Sequence, residues 1–454
     1  MKRMLAVLLL CGLVGGAARA QSPAEKRAAL KSPIIQAVEA AGPAVVNIST
    51  EKIVTINVPD TRRRLTDDDL FDQFFERYHQ QNVRQRSLGS GVIVDPRGYI
   101  ITNEHVVRRA SKITVTLKDK TSYLGRLISA DPARDLAVIR ISRETSFPAA
   151  RMGRLDALMV GETAIAVGNP FGFEHTVTVG VVSAVGRNVS VGGQTVMTNL
   201  LQTDASINPG NSGGALVDIN GDLIGINTAI RAGAEGIGFA IPIDEVRKAL
   251  VDLLDFRRLS RVDVGAGLVG LVSAQTGEPA GLRVVQLQPG SPADKGGLKY
   301  ADVITKLNGR PCVDVLSFEI DVLEHRAGDK LVFEGVREGQ PFKAEVALVA
   351  IPMPDPNTVI AKRLGITVAK LGPADPARLG FDPGGGLVVQ SIAPGGPAAA
   401  AGLSRDDVIL LFANFRVNEP EEIAQGLDRI RPGDQAPFVI VRKGFKYYTF
   451  LKVN

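Results

Sequence analysis

The sequence predicts a mainly β protein that begins with two small β-barrels and ends with two related α+β units. Two observations predict this fold class. Between residues 45 and 243, short apolar runs alternate with Gly, Asn, Asp and Pro, and no helical periodicity of comparable strength is present. Further along, the chain repeats itself at an interval of 105 residues. A chain of 454 residues is expected to hold two to four domains.

The first 20 residues have the composition of a signal peptide. Met1-Lys2-Arg3 supplies the positive start, an apolar run covers 4–14, and Ala18-Arg19-Ala20 is a small-x-small cleavage site. We therefore expect export and cleavage after Ala20. The mature chain then keeps a single cysteine, Cys312, and forms no internal disulfide.

The rest of the sequence narrows the possible partners. No later stretch is long and apolar enough to span a bilayer, so we expect no integral membrane segment in the mature chain. The formal net charge of +5 is small for this length and indicates no nucleic-acid partner. We expect neither a cofactor nor a metal ion.

Eight apolar runs are the candidate strands of the β-rich region, a number that suits two barrels. They are Gly91 to Val94, Tyr99 to Thr102, Ile113 to Leu117, Leu136 to Ile141, Thr163 to Val167, Thr176 to Val185, Gly214 to Asp218 and Leu223 to Thr228. Apolar residues at helical spacing between Asp244 and Leu259, behind an Asp cap, predict a closing helix.

A polar, charged insertion occupies 57–88. Its segment from Thr66 to Tyr78 begins with three aspartates and continues with leucine and aromatic residues, which predicts a capped amphipathic helix. The aromatic face packs locally, or it serves in subunit contact or as a cover over a functional site. The sequence does not choose between these roles.

The repeat in the second half matches at many collinear positions. Gly281-Leu282 and Asp302-Val303-Ile304 recur as Gly386-Leu387 and Asp407-Val408-Ile409. Each unit has the size of a small domain, and a proline-rich linker lies between them. The predicted division is a signal peptide 1–20, a first domain 21–260, a repeat unit 261–350, the linker 351–356 and a second repeat unit 357–454.

One glycine-rich loop holds a serine in a setting that suits a nucleophile. Pro209-Gly210-Asn211-Ser212-Gly213-Gly214 stands directly before the apolar strand that starts at Ala215. Glycines let the backbone turn sharply and direct the N–H groups of Gly210 and Ser212 at a developing oxyanion. By itself, the motif is equally compatible with an ordinary turn.

A nucleophilic serine needs a base and an orienting carboxylate. Of the four histidines, only His105 directly follows a strand within the β-rich region. Asp135 heads the apolar strand that begins at Leu136, whereas Asp131 precedes a proline and suits a turn. His105, Asp135 and Ser212 are therefore the candidate catalytic residues.

Five segments together resemble the signatures of the HtrA/Deg serine proteases, in the order of that family. They are Thr102-Asn103-Glu104-His105-Val106-Val107, Asp135-Leu136-Ala137-Val138, Gly168-Asn169-Pro170-Phe171-Gly172, Thr203-Asp204-Ala205-Ser206-Ile207-Asn208-Pro209-Gly210-Asn211-Ser212-Gly213-Gly214 and Gly238-Phe239-Ala240-Ile241-Pro242. With the two repeats, which resemble PDZ domains, the resemblance covers nearly all of the mature chain.

The resemblance implies a chymotrypsin-like double β-barrel protease domain followed by two PDZ domains. It makes His105 the general base, Asp135 its orienting carboxylate and Ser212 the nucleophile, with the amides of Gly210 and Ser212 as the oxyanion hole. It also implies a periplasmic serine endopeptidase that degrades unfolded or damaged proteins, assembled as a homotrimer or a multiple of it. Loops at 169–175, 187–193 and 229–236 resemble those that switch the family on and off.

Two positions depart from the family pattern, and neither removes a required group. Glu104 stands where a second asparagine is usual, and Ser206 stands where alanine is commoner. No aspartate occupies the trypsin-like position before Pro209, so we expect a preference for small aliphatic P1 side chains. The candidate substrate-binding residues are Ser206, Ile207, Asn211, Asn227 and Thr228.

A PDZ domain binds a peptide C-terminus as an added strand, and backbone amides of a Φ-Gly-Φ loop hold the carboxylate. Leu364-Gly365-Ile366 fits this loop in the second repeat. In the first repeat Val264-Gly265-Ala266 is the best candidate, with Leu268-Val269-Gly270 as a shifted alternative. Helices predicted at 317–325 and 419–430 flank the two grooves.

Two other functions are compatible with this sequence. A chaperone or scaffold would keep the fold with a dormant protease domain, and a regulatory protease would cleave one substrate after its PDZ domain is engaged. All three catalytic residue types occur in the family order, which favours an active enzyme. Two PDZ units favour protein quality control.

Overall fold

The computed structural model describes residues 31–52, 85–108, 110, 112–156, 158–169, 176–191, 194–208, 210–228, 236–352, 354–413, 415–428, 430 and 432–454. The predicted signal peptide, most of the insertion at 57–88 and most of the loops at 169–175 and 229–236 lie outside the described residues. Among the described residues, no helix is long and apolar enough to cross a membrane.

Six antiparallel strands close the first barrel, in the order β1-β2-β3-β6-β5-β4. They are β1 (Val45–Lys52), β2 (Gln85–Asp95), β3 (Tyr99–Thr102), β4 (Lys112–Thr116), β5 (Ser122–Asp131) and β6 (Leu136–Arg140). Strands β3 and β6 are apolar on both faces because both faces are covered. Ile100 and Ile139 fill the barrel interior, whereas Ile101 and Val138 pack in the layer between the two barrels. Helix α1 (Pro33–Ala41) precedes this barrel.

The second barrel closes in the order β10-β11-β12-β9-β8-β7. Its strands are β7 (Thr163–Gly168), β8 (Thr176–Val191), β9 (Gln194–Thr203), β10 (Ala215–Val217), β11 (Leu223–Thr228) and β12 (Gly238–Pro242). Val167 and Ile226 of this barrel meet Ile101 and Leu136 of the first in one apolar layer. The two closed six-stranded barrels confirm the predicted fold class, and loops from both barrels meet at their junction.

The closing helix differs from its prediction. Two helices replace one, because the chain breaks between α3 (Ile243–Leu253) and α4 (Phe256–Leu259). The predicted Asp cap is wrong for α3: strand β12 runs directly into the helix, so Pro242 is its N-cap and Asp244 lies in the first turn. A carboxylate there still favours the positive end of the helix dipole. The side chain that caps a helix here is Asp255, which accepts from two amides of α4.

Both repeat units are five-stranded antiparallel sheets with one short extra strand, in matching orders β14-β15-β16-β18-β19 and β21-β22-β23-β25-β26. The first unit contains β13 (Val262–Asp263), β14 (Ala266–Val272), β15 (Pro279–Leu287), α5 (Pro292–Lys295), β16 (Val303–Leu307), β17 (Arg310–Pro311), α6 (Val315–Leu323), β18 (Lys330–Arg337), β19 (Gln340–Ala347) and β20 (Val349–Ala350). The second contains α7 (Pro356–Leu364), β21 (Ile366–Lys370), α8 (Asp375–Leu379), β22 (Leu387–Ile392), α9 (Pro397–Ala400), β23 (Val408–Phe412), β24 (Phe415–Arg416), α10 (Pro420–Asp428), β25 (Gln435–Arg442) and β26 (Phe445–Lys452).

The interval of 105 residues also appears in the ion pairs. Arg337 Nε lies 2.6 Å from the buried carboxylate of Asp302, and Arg442 Nε lies 2.6 Å from that of Asp407. In each unit the same guanidinium also donates to a glycine carbonyl. A buried carboxylate requires such partners. The repeat therefore extends to a charge pair inside each unit.

Helix α6 of the first unit packs against the barrels rather than only on its own sheet. Leu316 and Ile320 join the apolar cluster that contains helix α3 and extends into the layer between the barrels. At the end of the helix, the Glu324 carboxylate lies 2.8 Å from Arg140 and accepts from the hydroxyl of Tyr99 at 3.1 Å. Polar contacts therefore join the first repeat unit directly to strands β3 and β6 of the first barrel.

Glu319, on the same helix, makes the contact between α6 and α4 sensitive to pH. Its carboxylate accepts from the amide of Phe256 at 2.9 Å. Burial raises the pKa of Glu319 from 4.5 to about 7; that amide and Arg257 lower the pKa, and Asp255 raises it. Between these two pKa values Glu319 is protonated in the folded chain and ionised in the unfolded chain. The stability that the bound proton contributes is fully present below about pH 4.5 and is lost as the pH rises through about 7.

We expect Glu319→Gln to remove this pH dependence, because the amide side chain still accepts from Phe256 but does not titrate. Between about pH 5 and pH 8, the wild type should lose about 2 kcal/mol of unfolding free energy relative to the variant, after allowance for the partial exposure of the carboxylate. Urea unfolding of the full chain at both pH values measures this. The exposed Glu338→Gln is the control, and equal pH dependence in wild type and Glu319→Gln would contradict the assignment.

Candidate active site

His105 and Asp135 meet at the junction of the two barrels. His105 lies in the short helix α2 (Glu104–Val107), directly after β3, and Asp135 precedes β6 with a left-handed φ of +51°. His105 Nδ1 is 2.9 Å from both carboxylate oxygens of Asp135. A carboxylate only accepts hydrogen bonds, so Nδ1 carries the proton and Nε2 is left as the base.

Three further contacts hold the Asp135 carboxylate and backbone in place. The amide of His105 donates to Asp135 Oδ1 at 3.0 Å, and the hydroxyl of Thr228 donates to Oδ2 at 3.2 Å. The side-chain amide of Asn103 donates to the Asp135 carbonyl at 3.1 Å. Because these groups come from both barrels, the imidazole is oriented by the packing of the barrels and not by one loop.

Ser212 lies in a tight turn that backbone hydrogen bonds hold on the C-terminal side of the serine. The amide of Gly214 donates to the Asn211 carbonyl, and that of Gly213 donates to the Asn227 carbonyl, both at 2.9 Å. Gly213 has a φ of +79°, and a Cβ there would lie 2.3 Å from the Ser90 carbonyl oxygen, so the turn needs glycine. The Ser212 hydroxyl is buried and makes no hydrogen bond with a described residue. A hydroxyl not bound elsewhere is available to a general base.

Ser90, in strand β2, braces the loop that would form the oxyanion hole. Its hydroxyl donates to the Gly210 carbonyl at 2.5 Å and accepts from the Asn169 amide at 2.8 Å. Its own amide donates to the Ser212 carbonyl at 2.9 Å, and its carbonyl accepts from the Thr102 hydroxyl at 2.6 Å. Ser90, which is fully buried, thus connects the turn that holds Ser212 to the first barrel. Sequence analysis missed it; the only signal was a serine between two glycines within a strand.

We expect Ser90→Ala to lower kcat about 100-fold. The Gly210 carbonyl loses its hydrogen-bond donor, and the Gly210 amide is then no longer held toward the oxyanion. KM should change only a few-fold, since Ser90 is buried and does not face substrate. Steady-state kinetics on a peptide substrate measures both constants. Ser122→Ala, which removes an exposed hydroxyl paired with Thr116, is the control. A change in thermal stability with unchanged kcat would show a purely structural role.

The five candidate substrate-binding residues fall into two groups. Ser206 is exposed and Ile207 is half-buried, so both side chains are accessible to solvent. Asn211, Asn227 and Thr228 are buried. The Asn227 side chain donates to the Ala215 carbonyl at 2.9 Å, and the Thr228 hydroxyl contacts Asp135. The side chains of Asn227 and Thr228 therefore hold other residues of the site in place. Direct contact of these two residues with substrate would use the backbone of β11.

Comparison with known proteins agrees with this geometry. The family model described as a trypsin-like peptidase domain matches residues 89–226, and the PDZ domain model matches 257–348 and 362–451. A probable periplasmic serine endoprotease, DegP-like, from Pseudomonas fluorescens is 34% identical, with 97% of this chain and 95% of that protein covered. The periplasmic pH-dependent serine endoprotease DegQ of Escherichia coli is 36% identical, with 85% and 84% covered. The chain belongs to the HtrA/Deg family of serine endoproteases.

A solved structure of the HtrA-type protease AlgW with a decapeptide is also similar, at 37% identity and a TM-score of 0.39, covering 71% of this chain and all of that one. Family membership confirms the prediction of a serine endopeptidase with a trypsin-like domain and two PDZ domains. It does not support the dormant scaffold that the sequence left open.

Within this HtrA/Deg chain, the two predicted carboxylate loops have related geometry. Gly265 and Gly365 both have left-handed φ angles, +74° and +68°, and each directly precedes the edge strand of its sheet, β14 or β21. Each glycine carbonyl accepts an amide, from Gln288 at 3.1 Å and from Ala393 at 2.8 Å. The shifted alternative Leu268-Val269-Gly270 lies inside β14 and forms no loop.

The departure at Glu104 produces a local ion pair. The Glu104 carboxylate is buried and accepts from Arg108 Nε at 2.7 Å, four residues along the chain. Burial raises the pKa of Glu104, and Arg108 lowers it. The extra acid in α2 is therefore bound by its own helical neighbour.

Proposed function

We propose that Ser212, His105 and Asp135 catalyse peptide hydrolysis through an acyl-enzyme. The observation that supports this proposal is the hydrogen bond from His105 Nδ1 to the Asp135 carboxylate, both oxygens of which lie 2.9 Å away. The turn that holds Ser212 lies beside this pair and accepts only glycine at position 213. His105 Nε2 takes the Ser212 proton as the hydroxyl attacks the scissile carbonyl. The tetrahedral oxyanion binds the amides of Gly210 and Ser212.

Collapse of the intermediate completes the first half of the reaction. His105 returns the proton to the leaving amine, and the acyl group stays on Ser212. Water then attacks the ester with His105 again as base, which releases the acid product and restores the serine. Asp135 keeps the imidazole in the required tautomer and stabilises its charged form during both halves.

We further propose the periplasm as the site of action, after cleavage behind Ala20, and unfolded polypeptides as substrates. The names of the two relatives described above place them in the periplasm. A chain with a protease domain and two PDZ domains has sites that bind the ends of polypeptides as well as a site that cleaves them. Peptide C-termini add to the open edges of β14 and β21, with α6 and α10 as the second walls of the grooves. The proposed division of the chain is 21–260, 261–350 and 357–454.

A homotrimer, or a multiple of it, is the proposed assembly. One exposed apolar surface on the protease domain supports this proposal. Val177, Val179 and Val181 alternate along the outer face of β8 and are exposed. Met159 and Val160, also exposed, lie beside them because Gly161 donates to the Val182 carbonyl. Apolar patches of this kind mark subunit contacts.

Covalent labelling tests the proposed mechanism. Diisopropyl fluorophosphate should modify the peptide that contains Ser212, and casein hydrolysis should fall in proportion to the modified fraction, as read by mass spectrometry. Protein heated before treatment is the control and should remain unlabelled. Casein degradation that persists in fully labelled protein would overturn the assignment.

A further inference from the structure

The two PDZ domains end in hairpins with the same backbone but different side chains. Strands β25 and β26 are joined through Lys443 and Gly444, with φ of +50° and +80°. Strands β18 and β19 are joined through Glu338 and Gly339, with φ of +48° and +80°. Both are two-residue turns of the primed type that suits hairpins, and every strand pair keeps the same register at an offset of 105. The first hairpin is therefore an internal reference for the second.

At the end of the second hairpin, three positions carry an aromatic or basic residue that differs from the residue of the first hairpin. Phe445, Lys446 and Tyr448 stand where the first domain has Gln340, Pro341 and Lys343. We name the group Lys443, Phe445, Lys446, Tyr447 and Tyr448 the PDZ2 hairpin tip. Its three rings are 70%, 46% and 65% exposed in chain order. The fold does not demand four of these residues, because the first domain forms the same hairpin without them. Tyr447 is the exception: it corresponds to Phe342, and each ring lies against the arginine at the base of its hairpin.

The charge of the PDZ2 hairpin tip is positive and uncompensated. Arg442, at the base of the tip, is already bound to Asp407. Lys443 and Lys446 are exposed and form no ion pair with any residue that the structure describes. In the first domain the corresponding turn carries Glu338, and Lys343 faces Glu334 across the hairpin at 3.7 Å. The two hairpins thus differ in charge as well as in apolar character.

We propose that the PDZ2 hairpin tip binds the surface of a bilayer rich in anionic lipid. Tyrosine side chains prefer the boundary between headgroups and acyl chains, where the ring is buried and the hydroxyl stays hydrated, and a phenylalanine ring inserts on the apolar side of that boundary. Lysine side chains beside them bury their stems and reach lipid phosphates. A folded protein partner fits less well, because a stable interface needs about 800 Å² from each side and five side chains on a narrow hairpin offer less.

Each tip alone contributes weak binding, since two lysines and three rings hold far less than a membrane span. In an assembly with several copies, the tips bind together and their effects multiply. Binding would bring the protease to the membrane surface without a spanning segment. This inference does not depend on the catalytic assignment.

Vesicle flotation tests the proposal with the full chain. Vesicles of phosphatidylcholine and phosphatidylglycerol should bind the protein at least about tenfold more tightly than phosphatidylcholine alone, and added salt should weaken the binding. A swapped variant carries the residues of the first hairpin: Lys443→Glu, Phe445→Gln, Lys446→Pro and Tyr448→Lys. It should lose the binding and keep its thermal stability and casein hydrolysis. Adding the reciprocal changes Glu338→Lys, Gln340→Phe, Pro341→Lys and Lys343→Tyr to that variant should restore binding.

Fluorescence locates the contact, because the chain contains no tryptophan. Phe445→Trp should shift to shorter emission wavelength on phosphatidylglycerol vesicles and be quenched by brominated lipid. Tyr300→Trp, at an exposed position of the first PDZ domain, is the control and should not respond. Unchanged emission at residue 445, or equal binding by the swapped variant, would overturn the proposal. The proposal would also be overturned if the swapped variant differed from the wild type only in the mass of its assembly, measured by sedimentation equilibrium, because the tip would then be a contact between copies of the chain.

Discussion

Replacing Ser212 with alanine is expected to lower kcat by about a million-fold on a peptide substrate. The variant has no atom that can form the acyl-enzyme, so only the oxyanion amides and substrate binding remain to help direct attack by water. Binding itself should persist, because the turn is held by backbone bonds from Gly213 and Gly214 that do not involve the serine side chain. KM or the affinity for an uncleaved peptide should therefore stay within a few-fold of the wild type.

The matched control for this prediction is Ser206→Ala. Ser206 contributes its carbonyl, which accepts from the Thr178 hydroxyl at 2.8 Å, and alanine retains that carbonyl. Because Ser206 is also a candidate substrate-binding residue, KM can change in this variant, but kcat should stay within about tenfold of the wild type, since Ser206 provides no reacting atom. If Ser212→Ala kept more than about one per cent of wild-type kcat in a protein free of the parent enzyme, Ser212 would not be the nucleophile.

Asp135→Asn is expected to lower kcat by about 10⁴ near neutral pH, with the fold intact. The substituted amide places an N–H where His105 Nδ1 now donates. The imidazole must then accept at Nδ1 and carry its proton on Nε2, which leaves no base for the serine. With the NH2 group at the Oδ2 position, the remaining carbonyl oxygen still accepts from the His105 amide, and the Thr228 hydroxyl accepts from the NH2 group instead of donating to Oδ2, so the side chain should stay in position.

Asp131→Asn is the control, four residues away. Asp131 Oδ1 accepts from the amides of Ala133 and Arg134 at the turn before β6, where asparagine can also accept. The ion pair of Asp131 Oδ2 with Arg134 is lost, but Arg134 keeps its ion pair with Asp252. Steady-state kinetics should show a near-normal kcat for this variant. Comparable losses in the two variants would mean that the turn as a whole, and not the carboxylate at 135, supports catalysis.

Local and periodic patterns predicted the architecture. The β3 and β6 strands were recognisable because their residues are apolar on both faces, and the PDZ units because side chains recur at a constant interval. Chain direction changes were harder: one helix was expected where α3 and α4 are separate, and the cap was assigned to Asp244. A capping residue is defined by where the preceding strand ends, and that end is set by pairing of β12 with β9 and β11.

The three proposed catalytic residues were recognisable in the sequence because nucleophile, base and acid must be particular side chains, and each stands beside a strand in a fixed order. Their supports were not. Ser90 contacts Gly210 across 120 residues, and Thr228 contacts Asp135 across 93. A serine or threonine in a strand is common, and nothing in its neighbours reveals which distant loop its hydroxyl will meet.

Sequence patterns were enough to predict the fold class, the internal repeat, the HtrA/Deg resemblance and the three residues proposed to perform the chemistry. The groups that hold those residues became known from the folded chain: the Ser90 hydroxyl on the Gly210 carbonyl, the Thr228 hydroxyl on Asp135, and the packing of α6 against the protease domain. Separation along the chain explains the difference. Secondary structure and reactive side chains depend on neighbours in the chain, whereas hydrogen bonds within 3 Å depend on how closed barrels bring remote strands together.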